Sequence, residues 1–125
     1  MKSNKFSLKS RIVSFRFALK GLRSLLKYEH NSRIHLMAAI VTITLGVILQ
    51  LNSSEWSLLI IVIGVVFITE LLNSSLESLA DRIDPEWNEV IMRAKDFSAA
   101  AVLISAIISL VVGGLIFIPK LLDLL

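Results

Sequence analysis

The sequence predicts an all-α integral membrane protein: an N-terminal amphipathic surface helix followed by three transmembrane helices, working as a homo-oligomer. Three observations predict it. The 125 residues are 55% hydrophobic and only 18% charged, with a mean hydropathy of +0.78, which excludes a water-soluble globule. Three long apolar runs are separated by short polar segments. Nine of the thirteen Lys and Arg residues crowd into Met1–Arg33. The length allows one domain. With no cysteine, disulfides, thiolate metal sites and cysteine nucleophiles drop out.

Residues 1–33 form a basic head. Ile12, Phe15, Leu19, Leu22 and Leu26 share one helical face, and Arg16, Lys20, Arg23 and Lys27 form an adjoining stripe. Such a helix lies on the cytoplasmic leaflet, apolar side chains in the acyl boundary and cations at lipid phosphates. The plainer alternative is a topology anchor. A nucleic-acid-binding head would not need the apolar face, so nucleic acid is discounted as a partner.

The first span is read over residues 34–51, eighteen residues without Asp, Glu, Lys or Arg, the lower end of what crosses a bilayer. Gln50-Leu51-Asn52 offers no small-residue cleavage site, so the run is a span rather than a cleaved signal. Asn52-Ser53-Ser54-Glu55 reads as a tight polar turn. The second span covers residues 56–80, interrupted at Glu70. Residues 82–97 read as a charged connector broken by Pro85, and the third span runs over 98–118, closed by Pro119 and Lys120. The head is basic, the 52–55 turn has no Lys or Arg, the connector has Arg82, Arg93 and Lys95, and the far end has only Lys120. The positive-inside rule then puts the N-terminus in the cytoplasm and the C-terminus outside. No internal repeat is visible, which disfavours an inverted-repeat transporter.

The second span carries the strongest chemical signal. Glu70, Asn73, Glu77 and Asp81 are spaced so that all four lie on one helix face. Glu70 sits roughly 21 Å along the axis from Trp56 in a core of about 30 Å, in the cytoplasmic third. An acid within a span costs about 2.5–3.5 kcal/mol at mid-depth. That cost calls for a partner or a use. An interhelical clamp needs one or two polar groups, not four.

Further charge is expected at the same depth: Glu29 at the end of the head, and Lys95 and Asp96 at the mouth of the third span. Taken singly, Asp96 reads as a helix N-cap and Lys95 as an interface anchor. Taken together with the stripe, they supply carboxylates for a divalent cation, a positive group for phosphate and a carboxylate able to take a proton. Phosphoryl transfer needs this inventory, and oxygen-only ligands favour magnesium over zinc. No glycine-rich phosphate loop exists among Gly21, Gly46, Gly64, Gly113 and Gly114. His30 and His35 have no metal-ligand partners at a persuasive spacing. The residues alone therefore give a cation-dependent membrane site facing the cytoplasm, without naming ATP. Ser98, Ala101, Ser105, Ser109 and Gly113 form a small-residue stripe, read as close helix packing. Three spans can hardly enclose so many polar groups, hence the expected oligomer.

At these residues the chain resembles the bacterial integral-membrane diacylglycerol kinase family, which includes the undecaprenol kinases. Glu70-Leu71-Leu72-Asn73-Ser74-Ser75-Leu76-Glu77 looks like its E-x-L-N-[ST]-A-I-E signature, followed by Asp81. Ala94-Lys95-Asp96, with Ala100-Ala101-Val102, resembles the A-K-D…A-A-V opening of the last span. Lys20-Gly21-Leu22-Arg23 and the Glu29…Arg33 pair fit the family's head, and the likeness runs from about Ser10 to Ile118. The resemblance implies a homotrimeric, ATP-dependent lipid kinase in the bacterial inner membrane. Carried over by position, Glu70 is the general base, aided by Asn73, and Glu29 and Glu77 hold the Mg2+ bound to ATP. Phe17, Glu86, Asn88, Lys95 and Asp96 join those two glutamates at the nucleotide. Arg23, Arg33 and Ala99 face the lipid with Glu70.

The chain departs from the pattern at Ser75 and Leu76, where Ala and Ile are usual, and at Ser10 and Phe17, where diacylglycerol-specific members carry arginine and tyrosine. Arg11 stands next to the missing arginine. Asn31-Ser32-Arg33-Ile34-His35-Leu36 looks more like the polyprenol-phosphorylating branch than the diacylglycerol branch, which has a carboxylate at the position of His35. The expected activity is transfer of the γ-phosphate of ATP to undecaprenol or diacylglycerol, with a lean to undecaprenol. The rival readings are a small proton- or cation-coupled transporter using Glu70 and Glu77 as a relay, and a scaffold whose stripe only joins helices.

Overall fold

The computed structural model describes residues 6–83, 86 and 88–125. Four helices follow one another: α1 Leu8–Tyr28, α2 His30–Ile48, α3 Ser53–Ile83 and α4 Glu89–Leu122. Three of them, α2, α3 and α4, are long and apolar enough to cross a membrane. Within the connector, Asp84, Pro85 and Trp87 lie outside the described residues.

Ser7 opens α1, its hydroxyl accepting from Ser10 N–H at 3.4 Å. From Leu8 to Arg23 every residue of α1 is exposed, and burial begins only at Leu25, 4% exposed. Glu29 breaks the helix with extended backbone (φ −100°, ψ 114°), yet its N–H still donates to Leu25 O at 2.9 Å. α2 starts on the next residue, and Arg33 reaches back across the corner. Its Nε donates to Leu26 O at 2.8 Å, and Nη2 donates to Lys27 O. A cation on the last carbonyls of a helix satisfies groups that have no partner within it.

The α2–α3 turn is closed by the backbone itself. Gln50 takes a left-handed φ of 54°. Its N–H donates to Val47 O at 3.3 Å, and Leu51 N–H reaches Gly46 O at 3.0 Å. The left-handed residue just past the helix lets both bonds form. Asn52 then starts α3 as a capping box: Asn52 Oδ1 accepts from Glu55 N–H, and Glu55 Oε2 accepts from Asn52 N–H, both at 2.9 Å. The expected four-residue turn at 52–55 is thus the first turn of a helix, and the chain reverses over residues 49–52.

Gly46 is required here. A Cβ on it would lie 2.8 Å from the Trp56 ring edge and 2.9 Å from a Leu51 methyl. Leu51, Leu59, Ile116 and Phe117 form the buried cluster behind this turn, with Trp56 packed against it. Lys120 Nζ sits 3.2 Å from Glu55 Oε2 and closes the same end. The Asn52 N–H, and then Lys120, hold the Glu55 carboxyl below its ordinary value.

α3 and α4 pair in antiparallel register along most of their length. Thr69 and Ser105 hydroxyls lie 2.9 Å apart, Ser98 Oγ donates to Asn73 Oδ1 at 2.8 Å, and Lys95 Nζ donates to Asp81 Oδ1 at 2.9 Å. In lipid there is no hydrophobic drive between helices, so close packing and interhelical hydrogen bonds do the joining. The small-residue stripe serves this, with Ser105 only 2% exposed.

Two helix ends differ from expectation. α4 begins seven residues before Asp96, capped by Asn88, whose Oδ1 accepts from Val90 N–H at 3.0 Å and Ile91 N–H at 3.4 Å. Asp96 is therefore not a helix cap. Charge alone does not interrupt a helix that has left the apolar layer. Pro119 does not end α4 either, which runs on to Leu122. In the last turn a proline removes one hydrogen bond and little follows to be disrupted.

Candidate functional site

α3 brings Glu70 to the bundle interior, where it is 3% exposed. His35 Nε2 of α2 lies 3.2 Å from Glu70 Oε1. The distance suits a hydrogen bond but the N–H direction does not, and Oε1 has no aligned donor among the described residues. The imidazole is thus poised beside the carboxylate rather than bonded to it. Catalytic hydrogen bonds are often this loose before substrate arrives.

Two hydroxyls share this condition. Ser32 and Ser74 are each buried at Oγ without a partner. Elsewhere Thr42, Thr44, Ser57, Ser105 and Ser109 give their hydroxyls to carbonyls three or four residues back. Ser32 precedes His35 by three residues and Ser74 follows Glu70 by four, spacings that put each on its neighbour's helix face.

Above His35 a cavity of about 260 Å³ opens between α2, α3 and α4. Its walls are almost wholly apolar, from Ala38, Ala39 and Phe67 beside His35 to Leu59 and Gly113. Among the described residues, His35 is its one ionisable lining residue.

The rest of the stripe turns to α4. Asn73 meets Ser98, and Asp81 meets Lys95. The hydrogen bond that Lys95 donates to Asp81, with the charges of Asp81 and Glu77, raises the Lys95 ammonium above its ordinary value of 10.5, and partial desolvation opposes this. Asp96 and Ala99 are exposed on α4, and Glu86 is exposed in the connector. Asn88 is the α4 cap, and Arg33 holds the α1–α2 corner. Glu29 is the half-buried corner residue, with no side-chain capping bond. Phe17, 66% exposed, and Arg23 stand on the outer part of α1. One chain therefore gathers Glu70, Asn73, Lys95 and Asp81 along the α3 seam and leaves Phe17 and Arg23 on an uncovered helix.

Among the described residues no group of three or more His, Asp or Glu side chains closes around a metal. Glu29 and Glu77 are both half-buried carboxylates, the oxygen donors that a hard cation such as Mg2+ takes. Sequence reasoning missed the contact of His35 with Glu70. The signal available was a histidine at the edge of an apolar run, and its partner lies on another helix.

The profile of the family described as prokaryotic diacylglycerol kinase matches residues 16–117. The undecaprenol kinase of Bacillus subtilis (strain 168) is 36% identical over 108 residues, covering 86% of this chain and 88% of its own. The diacylglycerol kinase of Haemophilus influenzae is 37% identical over 107 residues, 85% and 91% of the two chains. That of Escherichia coli (strain K12) is 35% identical over 95 residues, 76% and 78%. The match takes in the whole α3 stripe and the Lys95–Asp96 segment that first pointed to phosphoryl transfer. The chain belongs to the prokaryotic diacylglycerol kinase family and is an integral membrane lipid kinase, a phosphotransferase whose acceptor is an alcohol.

Proposed function

We propose that the protein transfers the γ-phosphoryl group of ATP to the hydroxyl of undecaprenol, in preference to diacylglycerol, at the inner face of the bacterial cytoplasmic membrane. Glu70 carries this reading. A buried carboxylate whose unaligned partner, His35, lines an apolar cavity is placed to take a proton from a lipid alcohol whose chain lies in hydrocarbon.

In this mechanism the lipid hydroxyl gives its proton to Glu70 as its oxygen attacks the γ-phosphorus. Asn73 fixes the carboxylate's helix against α4 through Ser98. Glu29 and Glu77 would hold Mg2+, which neutralises phosphate charge when bound. Lys95 exchanges its carboxylate partner for phosphate, and Asp96, Glu86, Asn88 and Phe17 complete the nucleotide seat. Arg23, Arg33 and Ala99 border the lipid. The exposed outer part of α1 supports a homotrimer in which α1 of one subunit serves its neighbour's site, with α1 on the cytoplasmic surface. The Asn31–Leu36 segment and the likeness to the B. subtilis enzyme support undecaprenol.

The test is transfer of label from Mg-[γ-³²P]ATP in mixed micelles with undecaprenol and diacylglycerol offered separately and in competition. Label mainly on undecaprenol is the expected result. Label mainly on diacylglycerol overturns the substrate choice, and turnover by Glu70→Gln overturns the base.

A further inference from the structure

We infer that His35 is the positioning residue of the base: its Nε2–H donates to one oxygen of the Glu70 carboxylate and turns the other toward the lipid hydroxyl arriving from the apolar cavity. The inference rests on the reading of Glu70 as base given above, and adds a group to it.

Three observations carry it. The two side chains come from different helices and meet at 3.2 Å in a place where Glu70 is 3% exposed. A buried carboxylate left without a donor is costly, and the His35 Nε2 already lies at hydrogen-bond distance. His35 also lines the cavity, so a lipid hydroxyl entering there meets the imidazole, with the Glu70 carboxylate 3.2 Å beyond it. An interfacial anchor would instead extend its ring toward the membrane surface, yet the His35 side chain is only 26% exposed. The orphaned hydroxyls of Ser32 and Ser74 flank this pair by helix spacing and mark the same spot as a polar seat in an apolar interior.

The step balances simply. The lipid O–H bond breaks and its proton passes to the Glu70 oxygen that His35 does not hold. The freed oxygen forms a bond to the γ-phosphorus. The bond from that phosphorus to the β,γ-bridging oxygen breaks, and its electron pair leaves with ADP. His35 keeps its proton throughout, and Glu70 returns its own to water after product departs. A fixed carboxylate presents one lone pair at one angle, and such orientation is what a positioned base contributes.

The experiment compares full-length His35→Leu, His35→Gln and Glu70→Gln in mixed micelles, with undecaprenol and dioleoylglycerol each as acceptor. His35→Leu lowers kcat about 10²-fold, with KM for Mg-ATP unchanged. His35→Gln, which keeps an N–H of similar reach, recovers about ten-fold of that loss. Infrared difference spectra supply a readout apart from turnover: the carboxylate band absent in Glu70→Gln shifts in His35→Leu and returns in His35→Gln. A His35→Leu enzyme with kcat within about two-fold of the parent overturns the inference. So does equal loss in both His35 variants, or an unmoved band. Activity in Glu70→Gln would instead bring down the base assignment itself, a separate outcome.

Discussion

Lys95 Nζ lies 2.9 Å from Asp81 Oδ1, so the cation at the mouth of α4 is already engaged by the last carboxylate of the α3 stripe. In the proposed mechanism Lys95 changes partner when a nucleotide arrives. The contact also gives the pair a pH signature. Asp81 raises the Lys95 ammonium above 10.5. The stabilisation is complete below that ordinary value and is lost as pH rises through the raised one. Asp81→Asn should therefore lower the melting temperature in micelles slightly at neutral pH, the pair being partly solvated. Melting curves of the two proteins should converge in strongly alkaline buffer, and a gap that persists there would assign it to another cause.

Glu70→Gln should separate stability from activity. Removing the proposed proton acceptor should lower kcat by about 10²–10⁴-fold. Replacing a buried carboxylate that has no aligned donor among the described residues with a neutral amide relieves part of the cost of an acid within a span. The relief is less than the mid-depth value of about 2.5–3.5 kcal/mol, because Glu70 is expected in the cytoplasmic third. The inactive variant should melt at a higher temperature than the parent. A lower melting temperature would mean that Glu70 holds the helices together.

Gly46→Ala should damage the α2–α3 end without touching the chemistry. Its new Cβ would stand 2.8 Å from the Trp56 ring edge, and overpacking of this kind costs about 1–3 kcal/mol. Intrinsic Trp fluorescence and thermal melting should both change, with KM for Mg-ATP unaltered.

Thr69 and Ser105, 2.9 Å apart, should show coupling. A double-mutant cycle with Thr69→Val and Ser105→Ala, read by reversible unfolding in mixed micelles, should give an interaction of about 0.6 kcal/mol, and no more than about 1.7. Additive losses would mean that the hydroxyls serve only their own helices.

The parts legible in the sequence were those with local periodicity. Three apolar runs gave three helices, and the spacing of Glu70, Asn73 and Asp81 placed them on the face that meets the neighbouring helices. Helix ends were harder. Asn88 caps α4 while the apolar run starts ten residues later at Ser98. Polarity marks where a helix leaves lipid, whereas capping and backbone geometry mark where it stops. Arg33 and His35 were hardest. Arg33 is spent on the carbonyls of Leu26 and Lys27, and His35 meets a residue 35 positions away. Neither relation has a period, because both depend on how helices cross.

The shortness of α2 has a consequence for where catalysis happens. Its 19 residues measure about 28 Å, close to the hydrocarbon thickness of about 30 Å. Both ends are pinned, by the Glu29 corner and by the closed turn at Gln50. α3 and α4 are long enough to slide or tilt through the bilayer, but α2 is not. His35 lies five residues into it from His30, about 7.5 Å along the axis. α2 thus acts as a depth gauge. It holds Glu70 at one level, whatever the longer helices do, and in the proposed mechanism a lipid hydroxyl riding at that level reaches the carboxylate without being lifted out of the membrane.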